Sequence, residues 1–106
     1  MRGDEKNSIK VLDREPKLDG LGNLLDPNAM YYIQDTRQIV GNCILWWCAE
    51  SKGYTCELGE AGEYSGTEAA GMREADVPWP VAAVRKVVVQ HVRSEGLARL
   101  REERRD

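Results

Sequence analysis

Phenylalanine is absent and histidine occurs once, so the aromatic surface rests on four tyrosines and three tryptophans. A single imidazole, His91, excludes any His-based nucleophilic triad or general base that does not use that residue. Its sequence neighbours are valines, Gln90 and Arg93, with no positioned carboxylate among them. It reads as a half-buried structural histidine. Only three cysteines are present, an odd number that cannot pair completely. No segment approaches the roughly 20 apolar residues of a membrane span. The first ten residues, MRGDEKNSIK, lack the apolar core of a signal peptide. A cytoplasmic location is the expectation, and in that compartment thiols stay reduced. No phosphate-cradling glycine loop and no internal repeat is visible. Gly20-x-Gly22 neither follows a convincing strand nor opens a long helix, so it is not a dinucleotide fingerprint.

The aromatics that are present concentrate in Met30 to Ser65. This stretch holds all four tyrosines, Trp46, Trp47 and all three cysteines. Met30 to Asp35 is rich in the aromatic and β-branched residues that suit a pleated, half-buried surface. Tyr31 and Ile33 point to one side, Met30 and Tyr32 to the other. Thr36 to Gly41 reads as a loop. Cys43 to Cys48 is a continuous apolar run, as in a strand covered on both faces or a buried helix segment; its length, its aromatics and the glycine-containing loop after it favour a second strand. Glu50 to Gly53 reads as a short hairpin loop with Gly53 at positive φ. Tyr54 to Leu58 returns as a third strand.

Ser65-Gly66-Thr67-Glu68 matches the capping box, with Ser65 at the N-cap and Glu68 three residues on. A helix over 66–74 follows, ended by Asp76-Val77-Pro78-Trp79-Pro80, in which Trp79 is expected to plug the sheet. Pro80 can open a short helical turn to residue 85. The three consecutive valines then favour a fourth strand over 87–92. Ser94 is expected to cap a charged terminal helix. Residues 1–29 read as an extended arm that docks through Leu18, Leu21, Leu24 and Leu25. The expected architecture is α+β: a small twisted antiparallel sheet of three to four strands with one capped helix packed on a face. It divides as an arm (1–29), an α+β domain (30–93) and a charged helix or tail (94–106).

Charge is unevenly distributed. Residues 30–80 carry eight acidic and three basic groups, net −5; residues 81–106 carry seven basic and four acidic, net +3. An acidic body opposes attraction to phosphate backbones and suits a basic protein surface. Cys43, Cys48, Cys56 and His91 match a zinc site by count alone. Their spacing and strand placement do not suit one, so neither metal nor cofactor is expected. Glu57, Glu60 and Glu63 recur every third residue, interrupted by glycines. They read as a solvated turn or as an acidic patch for a basic groove. Arg99, Arg101, Arg104 and Arg105 are the only nucleic-acid candidates, but acidic residues interleave them and no aromatic platform accompanies them.

The segments Trp46-Trp47, Gly53-Tyr54-Thr55 and Glu60-Ala61-Gly62-x-Tyr64 resemble those of small uncharacterised bacteriophage and prophage proteins, over roughly Tyr31 to Glu74. The resemblance implies no catalytic activity. It implies an accessory protein acting on a host or phage protein, such as an inhibitor of a host defence complex of the anti-CRISPR kind. Trp46 and Trp47 leave opposite faces of one strand, and a single helix covers only one face. One of them, with Tyr31, Tyr32 and Tyr54 nearby and Glu57, Glu60 and Glu63 at the rim, is the expected recognition surface. A second copy of the chain is the other candidate occupant. A nucleic-acid-associated role for the basic tail is the alternative function.

Overall fold

A computed structural model describes residues 15–104. The central element is β1 (Met30–Val40), whose alternation of large side chains builds two cores at once. Tyr31 and Ile33 face one side and pack with Tyr64 and Ala69, flanked by Leu25, Ala29, Trp47 and Met72. Tyr32 faces the other side and packs with Trp46, Val81 and Val84, flanked by Ile44, Leu58, Ala61 and Trp79. Around β1 lie β2 (Cys43–Trp47), β3 (Tyr54–Thr55), β4 (Glu63–Ser65) and β5 (Asp76–Pro80). All pairings are antiparallel, in the order β3-β2-β1-β4, with β5 also paired to β1. Among the described residues, three short α-helices, α1 (Gly66–Ala70), α2 (Val81–Arg85) and α3 (Ser94–Glu103), and two single 3-10 turns, Ala49–Ser51 and Leu58–Glu60, complete the fold. The molecule is the expected α+β structure, with a sheet of five strands.

Several boundaries differ from the sequence reading, each for a physical reason. Thr36 to Val40 extends β1 rather than forming a loop, because β2 returns directly after Gly41-Asn42 and pairs Val40 with Cys43. The third strand stops at Thr55, where the Thr55 hydroxyl accepts from the Glu57 amide at 3.0 Å and starts a turn. The capped helix ends at Ala70 instead of continuing to 74. Asp76 to Pro80 is a strand, not merely a helix stop. Pro78 and Pro80 are two residues apart, so their missing N–H groups lie on the same side. That is tolerable on an edge strand whose outer side needs no ladder bond. The outward Pro78 carbonyl instead accepts from the Gly20 amide at 2.8 Å. The expected strand over 87–92 is absent: after α2 the chain runs exposed and unpaired to α3. His91 is accordingly exposed rather than half-buried. Ser94 does not cap α3; Arg93 occupies that position without a side-chain cap.

Residues 15–29 do lie against the sheet, but not through the leucines expected. Leu18, Leu21 and Leu24 are largely exposed, and Leu25 alone joins a core. Polar turn chemistry does the docking. The Asp19 carboxylate accepts from the Leu21 and Asn23 amides at 2.8 and 3.0 Å. This places Gly20 directly under the Trp79 indole, where any Cβ would overlap the ring. The Tyr31 hydroxyl accepts from the Asp26 amide at 2.8 Å and fixes the end of the segment.

The 48–53 loop carries positive φ at Glu50, Ser51 and Gly53. Two of these are not glycine, so an outside contact must hold them. Tyr64 supplies it: its buried hydroxyl accepts from the Ser51 amide and donates to the Cys48 carbonyl. Tyr64→Phe should therefore cost about 1–3 kcal/mol in chemical denaturation, since both loop groups lose their partner. The capping box is present in full: the Glu68 amide donates to Ser65 Oγ at 3.1 Å and the Ser65 amide to Glu68 Oε1 at 2.9 Å. Ser65→Ala should lose about 0.5–2 kcal/mol in the same assay. An unchanged midpoint would mean that packing alone holds α1.

Candidate functional site

Cross-strand register places Asp35 of β1 opposite Asp76 of β5 on the same face of the sheet. Both are buried. Two like charges in this arrangement destabilise a strand pair unless they are neutralised. Two arginines do so. Arg37 reaches Asp35 through Nε and Nη2 at 3.0 and 2.9 Å, and its amide adds a third bond at 3.0 Å. Arg73 holds Asp76 through Nε and Nη2 at 2.9 and 2.8 Å. The Trp47 indole donates to the same carboxylate at 2.9 Å. Both guanidinium groups also reach the Tyr54 hydroxyl, at 2.8 and 3.5 Å. The rings complete the unit: Trp47 and Tyr54 are 4.2 Å apart, Arg73 lies over Trp47, and Arg37 over Tyr54.

The hydrogen bonds from Arg37 hold the Asp35 carboxyl below its usual range. For Asp76, burial pushes upward, but the bonds from Arg73 and Trp47 overcome it and the net displacement is downward. Acid–base work by paired carboxylates needs one of them held protonated near neutrality. Here both are held ionised, each accepting three hydrogen bonds. The cluster is a structural clamp with two half-exposed guanidinium edges. Among the described residues, no group of three His, Cys, Asp or Glu side chains converges to hold a metal ion. The three cysteines are free thiols.

On the opposite face lies an apolar cleft of about 330 Å³, lined by Leu21, Gln34, Ile44, Trp46, Trp79, Ala83, Val84 and Val87. Gln34 is its only hydrogen-bonding side chain apart from the indoles, and its carbonyl already accepts from Trp79 Nε1 at 2.8 Å. The cleft arises because α2 covers only part of this face. Trp46 lines the cleft and packs on Tyr32 with ring centroids 5.7 Å apart, and Leu21 lines it while more than half exposed.

The residues expected to recognise a partner separate into three places. Tyr31, Tyr32 and Trp46 are interior residues, with exposures of 3, 5 and 8%. They therefore cannot anchor a partner as freely exposed rings, although Trp46 still borders the cleft. Trp47 and Tyr54 are half-buried within the charged clamp. The two tryptophans do leave opposite faces, but each is covered: one by α2, the other by the Arg73 side. Glu57, Glu60 and Glu63 do not form a free acidic rim. Glu57 pairs with Arg93 at 2.6 Å, Glu63 with Arg85 at 3.2 Å, and Glu60 accepts from Thr55 Oγ1 at 2.8 Å. Arg99, Arg101 and Arg104 are exposed on or next to α3, while Arg105 lies outside the described residues. Sequence reasoning missed Asp35, Arg37, Arg73 and Asp76. The available signal was Asp35 itself, a carboxylate continuing the inward alternation of Tyr31 and Ile33. No family model, curated protein or solved structure matches the chain. No helix among the described residues is long and apolar enough to cross a membrane.

The depressed carboxyl values set an acid limit. A carboxyl whose folded value lies below the unfolded value near 3.9 contributes stability above that value. The contribution is lost as pH falls through the folded value. Stability from urea denaturation should be nearly level between about pH 7 and 5 and should fall below about pH 4. In Asp76→Asn the acid limb should be shallower and the protein weaker at neutral pH. An unchanged limb would show that Asp76 does not couple folding to protons.

Proposed function

We propose that the chain is a non-enzymatic protein-binding module whose cleft beside α2 receives an apolar side chain of a partner protein. The cleft carries this reading. A site for a small polar molecule presents several convergent polar groups. This one offers apolar and aromatic walls, and the carbonyl of its one amide already accepts from Trp79. Tryptophan-lined pockets of this kind suit the buried anchor of a protein interface. The saturated clamp on the other face supports the non-enzymatic reading. The net −5 of residues 30–80 favours a partner with a basic surface and speeds encounter with it.

Together with the resemblance to phage and prophage proteins, this points to a cytoplasmic accessory protein acting on a host protein, an inhibitor of a defence complex being one concrete form. Nucleic-acid binding is the weaker reading. The exposed Arg99, Arg101 and Arg104 share their segment with Glu95, Glu102 and Glu103, and this equal number of acidic groups offsets their attraction to a phosphate backbone.

The test is capture of host proteins by the intact chain and by Leu21→Glu and Ala83→Glu, with circular dichroism to check the fold. Each substitution puts a charge at the cleft without removing a core side chain. A specific partner should bind each variant at least about tenfold more weakly, equivalent to about 1.4 kcal/mol. A captured protein that binds both folded variants as tightly as the parent would remove the cleft from the function.

A further inference from the structure

The carboxylates of the clamp are fully engaged, but its donors are not. Arg37 uses Nε on Asp35 and Nη2 on both Asp35 and Tyr54. Arg73 uses the same two nitrogens on Asp76 and Tyr54. Among the described residues, the Nη1 group of each arginine has no acceptor, and the Tyr54 hydroxyl accepts from both arginines but donates to no other group. In a guanidinium fork the outer N–H of Nη1 runs parallel to the outer N–H of Nη2. Both Nη2 groups reach one oxygen, so each arginine aims an unengaged N–H past the Tyr54 hydroxyl. A hydroxyl that accepts from two sides directs its own hydrogen away from them. Three sets of donors thus converge at one place on the surface.

The charges are also ordered in depth. The Asp35 and Asp76 side chains are 0 and 4% exposed, whereas those of Arg37 and Arg73 are each 48% exposed. The two ion pairs are dipoles with their positive ends turned outward. That orientation attracts an anion although each pair is neutral. The neighbouring Glu74 carboxylate acts on the Lys17 ammonium, which is bonded to the Arg73 carbonyl at 2.6 Å, so that charge too has its counterpart.

We infer that Arg37, Arg73 and Tyr54 bind a single phosphoryl group. The donors come from the extension of β1, the turn after α1 and β3, so they approach from three sides. A planar carboxylate is matched by the fork of one arginine. Donors from three sides fit a tetrahedral group with three free oxygens and up to two negative charges. The buried carboxylates already fix both guanidinium groups, so little side-chain freedom is lost on binding. The net −5 of residues 30–80 repels a long polyanion such as a nucleic-acid backbone. One phosphoryl group feels chiefly the charges within a Debye length of about 8–10 Å. Free phosphate and a phosphorylated side chain of a partner protein present the same chemistry. The site lies on the face opposite the apolar cleft and does not rest on the function proposed above.

Nitrogen-15 NMR of the full chain, titrated with inorganic phosphate at an ionic strength held constant with chloride, tests the proposal. The Nε–H signals of Arg37 and Arg73 and the Nε1–H signal of Trp47 should shift and saturate. Tyr54→Phe removes the hydroxyl and leaves both ion pairs in place. It should weaken binding by at least about threefold with an unchanged circular dichroism spectrum. Arg99→Gln, which removes an exposed cation elsewhere, should bind as the parent does. N-acetylphosphoserine amide distinguishes the sources: tighter binding than phosphate assigns the site to a phosphorylated side chain, and equal binding assigns it to free phosphate. Shifts no larger than chloride alone produces, a folded Tyr54→Phe chain that binds as tightly as the parent, or acetate that binds as tightly as phosphate would each overturn the assignment.

Discussion

The Asp35–Asp76 pair is the constraint around which one half of the molecule is arranged. Two buried carboxylates facing each other across β1 and β5 would drive those strands apart. Their neutralisation requires Arg37 to stay on the extension of β1, Arg73 to arrive from the turn after α1, and Trp47 and Tyr54 to close the side. Each carboxylate lies close in sequence to its arginine, yet the shared contacts at Tyr54 and Trp47 tie together β1, β2, β3 and β5. Removing one member would leave a buried charge without its partner, which costs more than the intact pair contributes. The Lys17 ammonium, bonded to the Met72 and Arg73 carbonyls at 3.2 and 2.6 Å, fastens the 15–29 segment to the same corner.

The opposite half is held by apolar contact and is less completely covered. α2 is only five residues long, so Val81 and Val84 cover Tyr32 and part of Trp46 and leave the cleft beside them. A polar, saturated face and an apolar, partly open face are thus built on the two sides of one strand. That division explains why the adjacent tryptophans have different surroundings. Trp47 uses its N–H to satisfy a carboxylate, whereas Trp46 contributes ring surface. The same division separates the proposed binding face from the clamp, so change at the cleft need not disturb the ion pairs.

Beyond α2 the sequence keeps its strand-like composition but the fold offers no strand for it to join. Side-chain periodicity is a property of the segment, whereas pairing needs an open edge within reach. The five described strands complete their sheet without it, and the groove beside β3 keeps residues 88–92 at a distance. Val87, Val88, Val89 and Val92 are therefore left exposed.

Local chemistry was legible in the sequence. The alternation of Tyr31, Tyr32 and Ile33 across two faces, the opposed directions of Trp46 and Trp47, the capping box at Ser65 and Glu68, and the α+β class all follow from residue type and short spacing. These depend on periods of two or of a single helical turn, which a single segment contains. Other features depended on partners far away in the chain. Proline reads as a strand breaker, and only the edge position of β5, with Gly20 bonding Pro78, makes Asp76–Pro80 a strand. The glutamates at 57, 60 and 63 looked like one patch until Arg93, Thr55 and Arg85 were brought to them separately. Asp35 and Asp76 are 41 positions apart, and nothing in either segment announces the other. Composition and short spacing determined that the aromatic-rich stretch would form a small sheet, but not which of its rings would be buried. Tertiary structure alone decided which charges would be paired, which face would stay open and which apolar segment would go without a neighbour, because those outcomes depend on register and coverage between distant segments.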